Sequence, residues 1–287
     1  MSDLHSPPAA VPAGSATGRS NLASRVASAL VLAPLAIAIA YVGGWPFILF
    51  WAAAAVGIFW EWTTLVAGTA GRFVFFTGAG PLVIATVLAG LHRPLAATLI
   101  IAVGAVGAAA FAPTRQRPWI AVGVIYAGAT LLGPVVLRTD AEWGFVAVML
   151  LFAVVWATDV FAYFVGRAVG GPKLWAQVSP NKTWSGAVAG IVAATLAAVA
   201  LAGTMTRTSL FAIAVVAIFL SIAAQLGDLF ESAVKRRFGA KDAGQLIPGH
   251  GGLMDRLDGF LFAAAAAALF GSMRENMEAA ARGLLAW

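Results

Sequence analysis

The sequence contains no cysteine and few charged residues, which make up only 10% of its 287 residues. The absence of cysteine excludes disulfide bonds, thiolate catalysis and cysteine metal ligands. The low charge excludes the surface of an ordinary soluble domain, because 61% of the residues are hydrophobic and the mean hydropathy is +0.90. The composition therefore predicts an integral membrane protein.

The sequence contains several long apolar runs. Runs of about 18 or more apolar residues are typical of membrane-spanning helices, because roughly 20 residues at helical rise cross the hydrocarbon core. By this criterion we predict an all-α polytopic integral membrane protein with about nine transmembrane helices. The predicted spans are 24–42, 46–67, 73–91, 95–112, 119–137, 143–166, 184–203, 209–231 and 258–274.

Composition and charge also divide the chain. Residues 1–21 are rich in alanine, proline and serine and predict a disordered tail, followed by N-terminal transmembrane helices over 22–140 and a second transmembrane region over 141–287. With the N-terminus inside, 13 of the 18 basic residues lie in inner segments and the other five in outer segments. Because cytoplasmic loops carry an excess of basic residues, the polar loops 167–183 and 232–257 are expected to face the cytoplasm.

Glu61 is the one acidic residue inside a predicted span in the first half of the chain. Trp60 and Trp62 flank it, and tryptophan is enriched at membrane interfaces. We therefore interpret Glu61 as a solvated carboxylate at a helix end.

The second half of the chain carries more polar residues within or beside its spans. Asp159 lies deep in the apolar segment FAVVWATDVFAYFVGR, where a carboxylate is costly and marks a polar cavity, a bound ion or a structural ion pair. Asp228, Glu231, Ser232 and Lys235 are spaced i, i+3, i+4 and i+7, which places them in one stripe on a helix. Such a stripe is often a solvated face, but this one continues into an apolar span.

The segment SPNKTWSG begins at Ser179 and leads into the helix predicted from Trp184. Asn181, Lys182 and Thr183 therefore lie at a helix N-terminus, where free N–H groups and the helix dipole favour an anion. Helix capping by Thr183, with Lys182 as an inner-side charge, explains the same residues equally well.

The segment PGHGGLMDRLDG begins at Pro248, immediately before the last predicted span. Its glycines allow the backbone to approach a ligand closely. Asp255 and Asp258 are spaced i, i+3 at the start of the helix, where carboxylates can stabilise the dipole or bind a hard cation. We favour the cation, since basic residues and the buried Asp159 accompany them and Mg²⁺ combines few carboxylates with substrate phosphates.

Carboxylates, basic residues and glycine-rich backbone at one membrane face together indicate phosphate chemistry. Phosphoryl and nucleotidyl transfer require charge neutralisation and positioning more than a covalent nucleophile. The sequence has no GxxxxGK[ST] motif, which excludes a standard P-loop NTPase fold. The position of these residues at headgroup depth predicts a lipid as the second substrate.

The run from Ser232 to Asp258, SAVKRRFGAKDAGQLIPGHGGLMDRLD, resembles the signature of phosphatidate cytidylyltransferases, also called CDP-diacylglycerol synthases. The segments GDLFES, SPNKTW and TDVFAYFVGR resemble other parts of that family in the same order. The resemblance covers residues 155–260 in detail, and the N-terminal half resembles the family only in being polytopic.

The resemblance implies that CTP and phosphatidic acid react to give CDP-diacylglycerol and pyrophosphate. It implies Mg²⁺ as cofactor, with a second cation left open, and a homodimer in the bacterial inner membrane whose active site faces the cytoplasm. Membrane lipid is an expected partner and nucleic acid is not. The region 141–287 is then the catalytic region.

The resemblance also assigns site residues. The catalytic residues are Asp228, Asp255, Lys235 and Arg256. The metal ligands are Asp228 and Asp255, supported by Asp258. The substrate-binding residues are Asp159, Ser179, Asn181, Lys182, Thr183, Ser232, Arg236, Lys241, Asp242, His250, Gly251 and Gly252. His250 either binds phosphate or caps the glycine turn. The sequence departs from the family at Ser185, where glutamate is usual, so no role is carried to that position.

Two other hypotheses explain part of the pattern. A cation-coupled membrane transporter would use Asp159 and Asp228 as intramembrane cation sites, but the loop from Lys235 to Asp258 has no role in it. A CDP-alcohol phosphotransferase or polyprenol kinase is the other alternative, and the former would require a DGxxAR-type helix that the sequence lacks.

Overall fold

The computed structural model of the protein describes residues 33–68, 71–205, 208–244, 246 and 251–287. Over these residues the chain is almost entirely helical, which confirms the predicted all-α class.

Eight of the described helices are long and apolar enough to cross a membrane, which confirms the polytopic architecture. In chain order the helices are α1 (Ala33–Val42), α2 (Gly44–Ala67), α3 (Gly71–Gly90), α4 (Pro94–Phe111), α5 (Arg117–Arg138), α6 (Gly144–Val169), α7 (Trp184–Met205), α8 (Leu210–Arg237), α9 (Met254–Arg274) and α10 (Ala280–Leu285). The shorter helix α1 covers the described end of the predicted span 24–42. The predicted tail, residues 1–21, lies outside the described residues.

A short β-hairpin interrupts the helical architecture between α6 and α7. Its strands are β1 (Lys173–Trp175) and β2 (Ser179–Thr183), which pair antiparallel. The hairpin occupies the predicted polar loop 167–183, whose sequence had indicated no strand. Because β2 leads directly into α7, the hairpin places the SPNKT segment against the ends of α6 and α7.

Helices α8 and α9 both extend beyond their predicted spans. Helix α8 continues past residue 231 to Arg237, and α9 begins at Met254 rather than at 258. Hydropathy identifies only the part of a helix that lies in hydrocarbon, whereas polar residues can continue the same helix into the interface. The polar ends of these two packed helices carry all four predicted catalytic residues and all three predicted metal ligands.

An aromatic cluster joins four helices next to these polar ends. It comprises Trp62 of α2, Tyr126 of α5, Phe230 of α8 and Phe262 of α9, and the Trp62–Tyr126 and Phe230–Phe262 ring centroids are 5.2 and 5.3 Å apart. Buried aromatic rings contribute large apolar contact areas in restricted geometries. Because Phe230 precedes Glu231, this packing positions the polar stripe that was predicted on α8.

Candidate active site

Three carboxylates from α8 and α9 form an acidic cluster. Asp228, Glu231 and Asp258 each offer one oxygen, and these oxygens all lie within 4.8 Å of one another. The i, i+3 spacing places the first two on one face of α8. A Cβ atom built on Gly227 would lie 2.5 Å from the carbonyl oxygen of Asp258, so glycine at this position allows α9 to approach that face. Two helices thus bring three acidic groups together.

The donor set of this acidic cluster suits a hard cation. Glu231 is only 1% exposed, and its Oε1 atom has no hydrogen-bond partner among the described residues. A buried carboxylate oxygen without a partner is costly, and a divalent cation would satisfy it. Carboxylate oxygens are the ligands that Mg²⁺ prefers. The residues present therefore fit the cation that the sequence pattern predicts.

Lys235 joins the acidic cluster to Asp255. Its Nζ atom lies 2.9 Å from Oε2 of Glu231 and 2.5 Å from Oδ1 of Asp255. The other oxygen of Asp255 accepts hydrogen bonds from the backbone N–H groups of Ala243 and Gly252, both at 3.0 Å. Asp255 therefore connects the end of α8, the loop that follows it and the start of α9.

The predicted metal set and the acidic cluster differ by one residue. Asp228 and Asp258 belong to both, whereas the structure brings Glu231 to them and engages Asp255 with Lys235 and backbone N–H groups. The role of Asp255 as a direct ligand stays a prediction. Glu231 was recognised only as part of a polar stripe, although its i+3 spacing from Asp228 could have identified it.

A polar cavity of about 600 Å³ lies between α6, α7, α8 and the hairpin. Five predicted site residues line it, namely Asp159, Asn181, Lys182, Thr183 and Asp228. Lys182 on β2 forms an ion pair with Asp228 on α8, so the cavity adjoins the acidic cluster. Arg167 and Lys173 also line the cavity. These two basic residues had no assigned role, and their closeness along the chain to the SPNKT segment was the available signal.

Thr183 and Ser185 hold the start of α7 against the end of α6. The backbone N–H of Gly186 donates to Oγ1 of Thr183 at 3.2 Å, so the capping interpretation of Thr183 is correct. Ser185 bonds to Thr183 Oγ1 at 3.0 Å and donates to the carbonyl oxygen of Gly170. Ser185 therefore links the two helices across the hairpin, at a position where the family that the sequence resembles usually has glutamate.

The other predicted site residues have less direct relations to the acidic cluster. Ser232 donates to Oδ1 of Asp228 at 3.5 Å, and the exposed Arg236 donates to the carbonyl oxygen of Ala240 at 3.1 Å. Lys241 and Asp242 are exposed after α8. The remaining members of the set are Ser179 on β2, Gly251 and Gly252 before α9, and Arg256, exposed on α9. His250 lies outside the described residues.

The interpretation of Glu61 as a solvated helix end is wrong. Glu61 is 2% exposed, and its two oxygens accept the backbone N–H groups of Leu253 and Met254 at 2.9 and 2.8 Å. The flanking tryptophans were misleading, because Trp60 is 40% exposed while Trp62 is completely buried. A lone acidic residue in an otherwise apolar span was itself the signal of a buried partner.

Comparison with known proteins agrees with the motifs. The cytidylyltransferase family matches this chain over residues 23–273. The chain is similar to the phosphatidate cytidylyltransferase of Brucella abortus, with 44% identity over 257 residues that cover 88% of this chain and 94% of that protein. It is 40% identical to the phosphatidate cytidylyltransferase of Bacillus subtilis over 145 residues, which cover 50% of this chain and 54% of that protein. These relatives give no support to the transporter hypothesis. The chain belongs to the cytidylyltransferase family.

Proposed function

We propose that this protein transfers the cytidylyl group of CTP to phosphatidic acid and releases CDP-diacylglycerol and pyrophosphate. The names of the relatives support this activity. The observation that carries it is the acidic cluster of Asp228, Glu231 and Asp258, which adjoins Lys182 and Lys235 at the polar ends of membrane helices. Such a combination of carboxylates and ammonium groups suits the transfer of a phosphate-linked group.

In the proposed reaction a phosphate oxygen of the lipid attacks the α-phosphorus of CTP. The new phosphorus–oxygen bond forms as the bond to the β-phosphate breaks, and pyrophosphate leaves with the bonding electrons. Lys182 and Arg256 are proposed to bind phosphate groups, and Lys235 to hold Asp255 and Glu231 in position. The acidic cluster would hold Mg²⁺, which would neutralise charge on the phosphates, and Asp255 would be a ligand for a second cation.

The polar cavity is the proposed binding region for phosphate groups. Lys173, Arg167 and Lys182 supply positive charge along its wall. Exposed apolar side chains follow two of its lining residues directly along the chain, Phe164 after Tyr163 on α6 and Trp184 after Thr183 at the start of α7. This juxtaposition suits a substrate whose phosphate leaves the bilayer plane while its acyl chains remain in hydrocarbon.

The activity is tested with purified protein in detergent or lipid vesicles. With CTP, phosphatidic acid and Mg²⁺ we expect stoichiometric formation of CDP-diacylglycerol and pyrophosphate, measured by chromatography of labelled lipid. Chelation of divalent cations should abolish the rate, and added Mg²⁺ should restore it. In the matched control, diacylglycerol replaces phosphatidic acid, because diacylglycerol lacks the attacking phosphate. Product formation with diacylglycerol, or none with phosphatidic acid, would contradict the proposal.

We also propose that the site faces the cytoplasm of a bacterial inner membrane, where CTP is available. The chain has no cysteine, so single cysteines can be introduced as unique labels. Arg237 precedes α9 and Glu278 follows it, so one membrane-spanning helix separates the two positions along the chain, and both are exposed. The two variants are Arg237→Cys and Glu278→Cys. An impermeant maleimide is expected to label Glu278→Cys on intact spheroplasts and Arg237→Cys only after lysis. The reverse pattern would place the site outside and overturn this orientation.

The homodimer implied by the family resemblance is part of the same proposal. The mass of the purified protein in lipid nanodiscs tests it. We expect the mass of two chains, and the mass of one chain would contradict the homodimer.

A further inference from the structure

Glu61 binds the start of α9 from a helix in the distant first half of the chain. Its Oε1 and Oε2 atoms accept the backbone N–H groups of Leu253 and Met254 at 2.9 and 2.8 Å, across 192 and 193 positions of sequence. The first N–H groups of a helix have no partner within the helix, so a carboxylate at this place satisfies two of them. The contact is almost completely shielded from solvent, since Glu61 is 2% exposed.

Asp255 belongs to the same segment at the start of α9, residues 252–255. Oδ2 of Asp255 accepts the N–H of Gly252, the residue directly before the two that Glu61 binds. Three consecutive backbone N–H groups, from Gly252 to Met254, are therefore held by two carboxylates. Because Asp255 follows at once, the position of its Oδ1 atom against Lys235 depends on the segment that Glu61 holds.

Close packing leaves Glu61 little freedom. A Cβ atom built on Gly244 would lie 2.6 Å from Oε1 of Glu61, and one built on Gly252 would lie 2.9 Å from Oε2. One turn earlier on α2, a Cβ atom on Gly57 would lie 3.1 Å from the side chain of Leu253. Residues 57 and 61 thus form one face of α2 that receives both the backbone and the side chain at the start of α9.

We propose that Glu61 is a positioning residue for the transfer reaction, a role that rests on the proposed function. It makes no contact with the acidic cluster, and acts by holding residues 252–255 so that Asp255 meets Lys235. Lys235 in turn contacts Glu231 of that cluster. The chain of contacts from Glu61 to the acidic cluster therefore passes through Asp255 and Lys235.

The test compares Glu61→Gln with Glu142→Gln, an exposed carboxylate before α6 that serves as the matched control. Glutamine keeps the shape of Glu61 but turns an N–H donor toward a backbone N–H. We expect kcat to fall about 10- to 100-fold, as for other groups that orient site residues, while KM for CTP and the melting temperature stay near wild type. Glu142→Gln should match the wild type in all three. Wild-type kcat in folded Glu61→Gln protein would overturn the proposal.

A second measurement does not depend on catalysis. Trypsin cleavage after the exposed Lys241 reports opening of the segment between α8 and α9. In Glu61→Gln this cleavage should be at least about 10-fold faster than in the wild type, because charged hydrogen bonds to that segment are lost. Equal cleavage rates would overturn the proposed contact. An inactive wild-type protein would refute the proposed function and leave this comparison valid.

If Glu61→Gln does not fold, Gly244→Ala addresses the same contact with the carboxylate retained. The added methyl group must displace Oε1 of Glu61, so the same loss of kcat is expected. Wild-type kcat in Gly244→Ala would then overturn the proposal.

Discussion

Asp228→Asn is expected to lower the rate of CDP-diacylglycerol formation by about 100- to 1000-fold in a protein that remains folded. Asp228 contributes one oxygen to the acidic cluster and is also the ion-pair partner of Lys182. Asparagine keeps the size of the side chain but removes the negative charge that the cation and the ammonium group both require. Initial rates over a range of Mg²⁺ concentrations, at saturating CTP and phosphatidic acid, measure the effect.

The control for this variant is again Glu142→Gln. It removes an exposed carboxylate just before the N-terminus of α6, whereas the cavity is lined by the C-terminal half of that helix. Its rate and Mg²⁺ dependence should equal those of the wild type. Wild-type rates in Asp228→Asn at every Mg²⁺ concentration would contradict the assignment of the acidic cluster as the cation site.

Lys235→Met is expected to reduce the free energy of unfolding by about 3 to 5 kcal/mol and to abolish activity. The ammonium group is nearly buried and lies between two carboxylates, Glu231 and Asp255. Methionine preserves most of the side-chain volume, so the loss reports two buried negative charges left without their partner. Thermal unfolding in one detergent measures the change in stability.

The double variant Lys235→Met with Glu231→Gln separates charge from packing. Removing one of the stranded carboxylates should recover part of the lost stability without recovering activity. Arg237→Met, exposed at the end of the same helix, is the matched control and should unfold like the wild type. Equal stability of Lys235→Met and Arg237→Met would contradict the importance of the buried ion pairs.

The sequence predicts those features of this protein that depend on residues close together along the chain. The spans follow from local hydropathy, and the shared face of Asp228 and Glu231 follows from helical spacing. The pairing of Lys235 with Glu231 is likewise an i, i+4 contact. These features require no knowledge of how the helices pack.

The features that the sequence did not reveal depend on contacts between distant segments. The contact of Glu61 with Leu253 has no periodicity that could disclose it, and neighbouring tryptophans favoured a different interpretation. Asp258 joins the acidic cluster whereas Asp255 contacts Lys235. This difference depends on which face of α9 meets α8, and a three-residue spacing does not determine that face. The hairpin strands are too short to produce an alternating pattern.

The link between Glu61 and Leu253 also has a consequence for biosynthesis. The ribosome must add 192 residues after Glu61 before its backbone partner exists. At translation rates of about 5 to 20 residues per second, this takes roughly 10 to 40 seconds. During that interval α2 carries a carboxylate whose final partner has not been made, and the translocon or water must solvate it. The acidic cluster and the contact of Glu61 are therefore completed late in synthesis, and truncated chains that end before α9 cannot form either.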